Sequence, residues 1–422
     1  MQRRTFLQLA TAAPALAQST KPADPNAKPA AGVPWTQWGG PHRNFQTEAA
    51  GLKDAWPAAG PKVIWKRALG EGYSSAAVEN NVLYTMYGRP QVEIVMACEA
   101  DTGKTLWEHN TPMTFRSDAA ADLGNGPYTT PLVVGDRLFT TGVAGRLQAI
   151  EKKTGKLLWT QQLWQEHHGT QTMYGYASSP IAFRDNVIVP VGGRGHALMA
   201  FKQQDGSVAW AKNDFDNAYS SPLLVGVDGL EQLVIVMDGE VIAVNPHNGD
   251  LQWQIPFKAG YGIAIAMPVW GAGNLLFVSA EYDAGAKVIH LQRSGSSVKA
   301  NEVWASNRLR LHHGNAMRIG DTAYFSSGGK GSVAIFTAVD VPSGKILWQD
   351  RGIAKATFVW ADQKLITLDG DGNLMLVHPS PGGFKVAAKA ELMTSLAWSP
   401  PTLVGTRLYI RDRRNMMAVD LG

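Results

Sequence analysis

Two His-His-Gly runs, at 167–169 and 312–314, and two long polar stretches, 108–127 and 160–175, hold most of the side chains here that could do chemistry. The stretches carry Arg116, Asp118, Asp122, Asn125, Glu166, His167 and His168, a mixture of acids, bases and amides suited to gripping a polar ligand. Asp118, Asp122 or Glu166 could give oxygen ligands to a hard cation, or act as a general base. No metal site is assigned to the histidines, because adjacent side chains diverge and the two pairs stand far apart in the chain. No Ser-His-Asp set can be assembled from spacing. The glycine-rich GGRGH (192–196) and SSGGKGS (326–332) lack the strand-to-helix setting of a phosphate loop and read as hairpin turns.

A second group is a tyrosine set ahead of two small hydroxylated residues and an apolar run. It occurs in GYSSAAV (72–78), GPYTTPLVV (126–134), GYASSPIAF (175–183) and AYSSPLLV (218–225). Two readings stand. The tyrosine packs under its neighbours with its hydroxyl on a loop carbonyl, or it belongs to a ring of Tyr, His and Phe around a ligand mouth. On the second reading the ring comprises Tyr73, Phe115, Tyr128, Tyr176, Tyr219, Tyr261, His312, His313 and Trp398.

The elements that must position these groups are legible as a repeat. The segments ACEADTGKTLW (97–107), AIEKKTGKLLW (149–159), AFKQQDGSVAW (200–210), AVNPHNGDLQW (243–253) and AVDVPSGKILW (338–348) align without gaps. Each has an apolar pair, a polar turn ending in glycine, and a tryptophan four residues later, which is a hairpin with the tryptophan on its returning strand. The anchors Trp65, Trp107, Trp159, Trp210, Trp253, Trp304 and Trp348 recur every 42 to 52 residues, with Leu392 in an eighth position. That spacing accommodates four short strands, the size of a propeller blade. The remainder after Leu392 has three strands, and PKVIWKRAL (61–69) has no strands before it. The expected fold is therefore all-β, an eight-bladed propeller of four-stranded antiparallel blades whose last blade is closed by both chain ends. Closure removes sheet edges that otherwise invite aggregation. The tryptophans are expected to dock between blades. Cys98 occupies a slot held elsewhere by Ile150, Phe201, Val244, Val339, Val377 and Val419, so it is read as packing.

The recurring A-x-D-x-x-T-G-x-x-x-W pattern resembles the tryptophan-docking motif of the quinoprotein (PQQ) alcohol dehydrogenase-like propellers, over roughly residues 61–422. WTQWGGPHRNF (35–45) looks like the leader of exported bacterial proteins with quinone-binding-like repeats. The resemblance implies eight blades about a central channel. It covers both quinone-dependent alcohol dehydrogenases and a noncatalytic scaffold of the outer-membrane barrel-assembly machinery. Its catalytic members use a calcium-bound quinone, a base carboxylate, a stacking tryptophan and adjacent cysteines. With the lone Cys98 no such cysteine pair forms, no spacing here matches that catalytic set, and no cofactor is assigned. The expected function is a binding or assembly scaffold working through one face, with a protein, peptide or small-molecule partner. The alternative is a PQQ-dependent oxidoreductase, with calcium, acting on an alcohol or sugar.

Counting forward from the anchors places Tyr73, Phe115, Tyr261, His167 and His312 eight residues on, and Tyr219, His168 and His313 nine. In a propeller this phase is the connection from an outermost strand to the next innermost strand. These connections gather on one face, where the two long stretches would also lie.

The totals fit this reading. The chain has 422 residues, 18% charged, with 44 glycines and 14 tryptophans, as a turn-rich β protein would. Net charge is +4, and without Arg3 and Arg4 the 39 basic residues become 37 against 35 acids, which does not suggest nucleic acid. MQRRTFLQLATAAPALAQ reads as an export signal of twin-arginine type over residues 1–17, leading to the periplasm or beyond. Residues 18–60 then form a Pro/Ala-rich leader and extension before the 61–422 propeller domain. No membrane span is expected, the chain is taken as a monomer, and Arg407, Arg411, Arg413 and Arg414 read as a solvated basic face.

Overall fold

The computed structural model describes residues 32–328 and 333–422. The export signal falls outside the described residues, as does most of the turn at 326–332. Apolar runs separated by glycine hairpins form strands of three to ten residues, grouped in eight four-stranded antiparallel sheets. Blade 1 contains Ala77–Glu79, Val82–Arg89, Val92–Glu99 and Thr105–Pro112, and each later blade repeats that inner-to-outer order. Blade 8 takes Thr402–Val404, Arg407–Arg411 and Asn415–Asp420 from the C-terminus and its outer strand, Lys62–Ala68, from the N-terminal side. Lys62 lies opposite Asp420 and Ala68 opposite Asn415, so the two chain ends close the ring together.

A register shift recurs between the third and outer strands of every blade, for example between Ala97 and Cys98 or between Ala149 and Ile150. A bulge bends and twists its strand, and in seven of the blades it sits beside the anchor tryptophan. The indoles of Trp65, Trp107, Trp159 and Trp304 each lie against the next blade's hairpin. A Cβ added at Gly103, Gly155, Gly206 or Gly344 would meet the rings of Trp65, Trp107, Trp159 and Trp304 at 2.6–2.8 Å. These glycines also have φ near +70°, so two constraints exclude a side chain. The indole nitrogens of Trp65, Trp107, Trp159 and Trp304 donate to carbonyls of the same hairpins at 2.7–3.0 Å.

The eighth anchor position is not Leu392. Pairing places Ala388 opposite Leu376, where the other blades carry tryptophan. The cause lies in blade 8, whose third and outer strands come from opposite chain ends and so have no hairpin against which an indole could dock. Cys98 is buried in its apolar slot, and burial pushes its thiol up to about 11.

The paired hydroxyls ahead of the inner strands connect neighbouring blades around the axis. Ser178 donates to the Ser220 carbonyl at 2.7 Å, Ser220 to Ala266 at 3.1 Å, Ser75 to Pro400 at 2.9 Å and Ser399 to Tyr73 at 2.7 Å. Strand starts there have unpaired carbonyls, and a short hydroxyl is the cheapest group that reaches them.

Residues 35–53 cross the opposite end of the channel. Trp35 bridges Val78 of blade 1, the Thr36 carbonyl accepts from Val133 of blade 2, and Phe45 and Thr47 bond to Trp360 of blade 7. Lys53 then bonds to Leu421 beside blade 8. Arg43 is buried at the centre of this plug. Its guanidinium donates to the carbonyls of Ser179, Pro180 and Pro222 at 2.6–3.1 Å, joining blades 3 and 4. Burial lowers its pKa to about 9, which still leaves it charged at neutral pH.

Arg411 corrects the expectation of a solvated basic face. It is fully buried and donates to the carbonyls of Gly72, Ser74 and Met86 at 2.8 Å, fastening blade 8 to blade 1. Arg413 and Arg414 converge on Glu71, and Arg407 pairs with Asp420. Three of the four arginines are therefore paired with acids, and the fourth is buried among carbonyls.

Candidate functional site: an aromatic funnel

The outer-to-inner connections meet around a cavity of about 230 Å³ on the axis, with Trp38 of the plug at its floor. The wall is a circuit of aromatic rings, most of them from these connections. His313 stacks on Trp398 with centroids 4.4 Å apart, Trp398 on Tyr73 at 5.6 Å, and Tyr73 on Tyr128 at 6.2 Å. Tyr174 and Tyr219 continue the wall at 6.1 Å, and Tyr282 closes it edge-on to His312 at 5.0 Å. Ile263 and Ile265 fill the intervening sector.

Tyr73 and Tyr128 pack as the first reading expects, and their rings also face the cavity. Tyr73 donates its hydroxyl to the Leu123 carbonyl at 2.5 Å and Tyr128 to Gly124 at 3.0 Å, so each pins the long 108–127 connection while its ring faces the funnel. Burial pushes the Tyr73 hydroxyl up to about 12 and that of Tyr128 higher still, so both stay protonated. Tyr261 stands on the rim, 79% exposed, with φ of 60°. Tyr282 beside it has φ of 52°, with the two rings 5.8 Å apart. Exposed aromatics at positive φ are unusual, and such strain gathers at functional surfaces.

His312 and His313 are the polar part of the wall. His312 is 5% exposed and its Nδ1 has no hydrogen-bond partner among the described residues. Burial lowers its pKa to about 3, and burial with the neighbouring His312 holds His313 well below the usual range, so both rings are neutral at physiological pH. Lys355 donates to His313 Nδ1 at 2.9 Å and lies 5.0 Å from the Trp398 ring.

Residues 51–213 and 91–350 match the PQQ-repeat family model described as Outer membrane protein assembly factor BamB. The chain belongs to this family. Among BamB-type relatives, the outer membrane protein assembly factor BamB of Yersinia pestis is 23% identical over 64% of this chain and 69% of its own length. The quinoprotein alcohol dehydrogenase PedH of Pseudomonas putida is 28% identical over 32% of this chain, which spans only 24% of that enzyme. The quinohemoprotein alcohol dehydrogenase structure from Comamonas testosteroni superposes with a TM-score of 0.66 at 12% identity, covering 93% of this chain and 81% of that one. At that identity the likeness is one of fold.

The funnel's donor set does not fit a calcium-bound quinone. A hard cation needs several oxygen ligands, yet the lining side chains include no carboxylate. Among the described residues no cluster of three or more His, Cys, Asp or Glu could hold a metal ion.

Of the residues expected at this face, Tyr73, Tyr128, Tyr219, His312, His313 and Trp398 line the funnel. Tyr261 stands on the rim beside Tyr282, and the others lie elsewhere. Phe115 packs edge-on against Trp164, and Tyr176 is buried with its hydroxyl on the Pro190 carbonyl. His167 sits against Phe201 and bonds Gln161. Glu166 accepts from the Gln162 amide, Asn125 from the Ser117 amide, and the Asp122 carbonyl from Arg413. Arg116, Asp118 and His168 are exposed outside the lining. The long connections thus reach the cavity through Ala120, Leu123, Gly124 and Tyr174, not through their charges. Sequence reasoning missed Trp38, Tyr174, Ile263, Ile265 and Tyr282. Ile263 and Ile265 lie just after the Tyr261 phase, but Tyr282 comes from a hairpin within blade 5 and Trp38 from the plug.

Proposed function

We propose that this protein is an exported binding or assembly scaffold whose contact surface is the funnel face. The observation that carries the reading is the chemistry of that face: a blind cup of neutral aromatic rings, rimmed by the strained and exposed Tyr261, with no carboxylate in its lining. Aromatic side chains give large contact area at low conformational cost and dominate binding energy at interfaces. The BamB relatives support a protein or peptide as partner and the cell envelope as location. The Arg3-Arg4 signal supports export to the periplasm.

A photo-crosslinking side chain tests the reading. Placed at Tyr261 in the native envelope, it should capture a discrete protein. Placed at Leu158 on the outer circumference, it should not. The oxidoreductase alternative has its own readout: a melting shift with dye reduction on adding quinone and calcium would replace the scaffold reading.

A further inference from the structure

The funnel is small for a ligand site. Pockets that hold drug-sized molecules and cofactors measure roughly 300–1,000 Å³, whereas this cup encloses about 230 Å³. A cavity of roughly 150 Å³ already takes a benzene ring. The cup therefore has room for one ring, or for two fused rings, and for little more. Trp38 closes its floor, and the plug behind that residue is bonded to blades around the ring, so a guest can enter only from the rim.

The chemistry of the wall narrows the guest further. No Asp, Glu, Lys or Arg lines the cup, and His312 and His313 are neutral. Three of the wall's hydroxyls are engaged within the protein: Tyr73 donates to Leu123, Tyr128 donates to Gly124, and Tyr219 accepts from the Tyr174 amide at 3.1 Å. A charged guest would lose its water and find no opposite charge in return. A cation meets a second obstacle, because Lys355 stands 5.0 Å from the Trp398 ring and no carboxylate in the wall offsets another positive charge. An aromatic ring, by contrast, gains more from offset and edge-on contact with other rings than its buried area alone supplies.

The rim indicates what carries the ring. Tyr261 is exposed 5.8 Å from Tyr282, which lines the cup, so aromatic surface continues outward beyond what a lone ring in the cup could cover. A central pocket with a collar of further contacts is how protein interfaces seat an anchor residue and keep water from it.

We propose that the cup is the receptor for a single uncharged aromatic side chain of a partner protein, inserted from the rim as the central anchor of that contact. The inference rests on the funnel face being the contact surface, and adds what the partner must present there: a protruding Phe or Trp, and neither a basic nor an acidic residue.

Titration of the intact protein with N-acetyltryptophanamide, N-acetylleucinamide and N-acetyllysinamide, followed by saturation-transfer NMR, reads this preference and depends on no variant folding. The tryptophan amide should bind about 10-fold tighter than the leucine amide, and the lysine amide more weakly than either. Equal binding of the tryptophan and leucine amides, or tightest binding of the lysine amide, overturns the proposal. Ala177→Phe sets a phenyl ring into the cup from its own wall, and should weaken both the tryptophan amide and capture by the crosslinker at Tyr261 about 10-fold or more. Tryptophan-amide binding that ignores this variant places the guest elsewhere and also overturns the proposal. Capture at Tyr261 that survives Ala177→Phe leaves the contact face standing and sinks the inserted ring. The reverse result, a tryptophan amide held in the cup with no protein captured, sinks the scaffold reading and the protein source of the ring together.

Discussion

The two ends of the axial channel are built from opposite chemistry. At the plug end every hydrogen-bonding nitrogen of Arg43 is engaged, and the chain bonds to strand after strand around the ring. At the funnel end the rings stack on one another, yet His312 Nδ1 is buried without a hydrogen-bond partner among the described residues and Tyr261 is held at positive φ in solvent. A satisfied buried cation specifies structure, whereas unsatisfied or strained groups cost stability and persist where something else requires them. On the proposed function, the plug serves stability and the funnel serves contact.

The sharpest way to break that comparison is Arg43→Met. It strips three carbonyls on two blades of their donor, and about 3 kcal/mol of stability should be lost in urea unfolding, with a lower melting temperature. A loss under 1 kcal/mol would mean the plug is ornamental.

Acid should attack the other end. The folded pKa of His312 lies below its unfolded value, so the unfolded chain binds the extra proton. Its contribution is intact above about pH 6.5 and is lost as pH falls toward 3. Stability should therefore decline by up to about 1.4 kcal/mol per pH unit from this group below that point. His312→Gln should flatten the decline, and an unchanged slope would contradict the buried neutral ring.

Between the two ends, Trp304→Phe keeps the ring but removes the 2.7 Å bond to Val341, so about 1 kcal/mol should go. Trp210→Phe is the control, since that indole nitrogen has no partner among the described residues and only its packing is at stake. Equal losses would show that docking is packing alone.

The smallest stability effect belongs to the rim. Tyr261→Ala should change unfolding by less than about 0.5 kcal/mol, because the ring is exposed, yet it should weaken partner capture about 10-fold or more. A variant that binds normally would move the contact surface off the funnel.

The fold was readable because its rule repeats. A glycine hairpin followed four residues later by tryptophan can be counted along the chain, and strand count alone matches Lys62–Ala68 to the three-strand remainder. Leu392 misled because the repeat stops where its physical cause stops, at a blade lacking the hairpin to receive an indole. The aromatic funnel was half legible. Tyr73, Tyr219 and the 312–313 pair sit at one phase and do converge, but Phe115 and His167 share that phase and turn into neighbouring cores. The difference is in the loop each belongs to. The expanded connections contain Trp164 and Leu163, whose burial draws Phe115 and the chain around it away from the axis.

What the amino-acid sequence determined alone was therefore periodic: blade number, strand order, the closing pair and the face on which the tyrosine-bearing connections emerge. These depend on contacts between residues a fixed distance apart in the chain, so pattern suffices. Only the tertiary structure decided that residues 35–53 seal one end, that Arg411 is a buried fastener instead of a surface charge, and that Lys355 is lodged against His313 and Trp398. The first two join segments tens to hundreds of residues apart with no repeating interval, Lys355 meets side chains one blade away on either side, and burial, which sets their charge, exists only once the ring has closed.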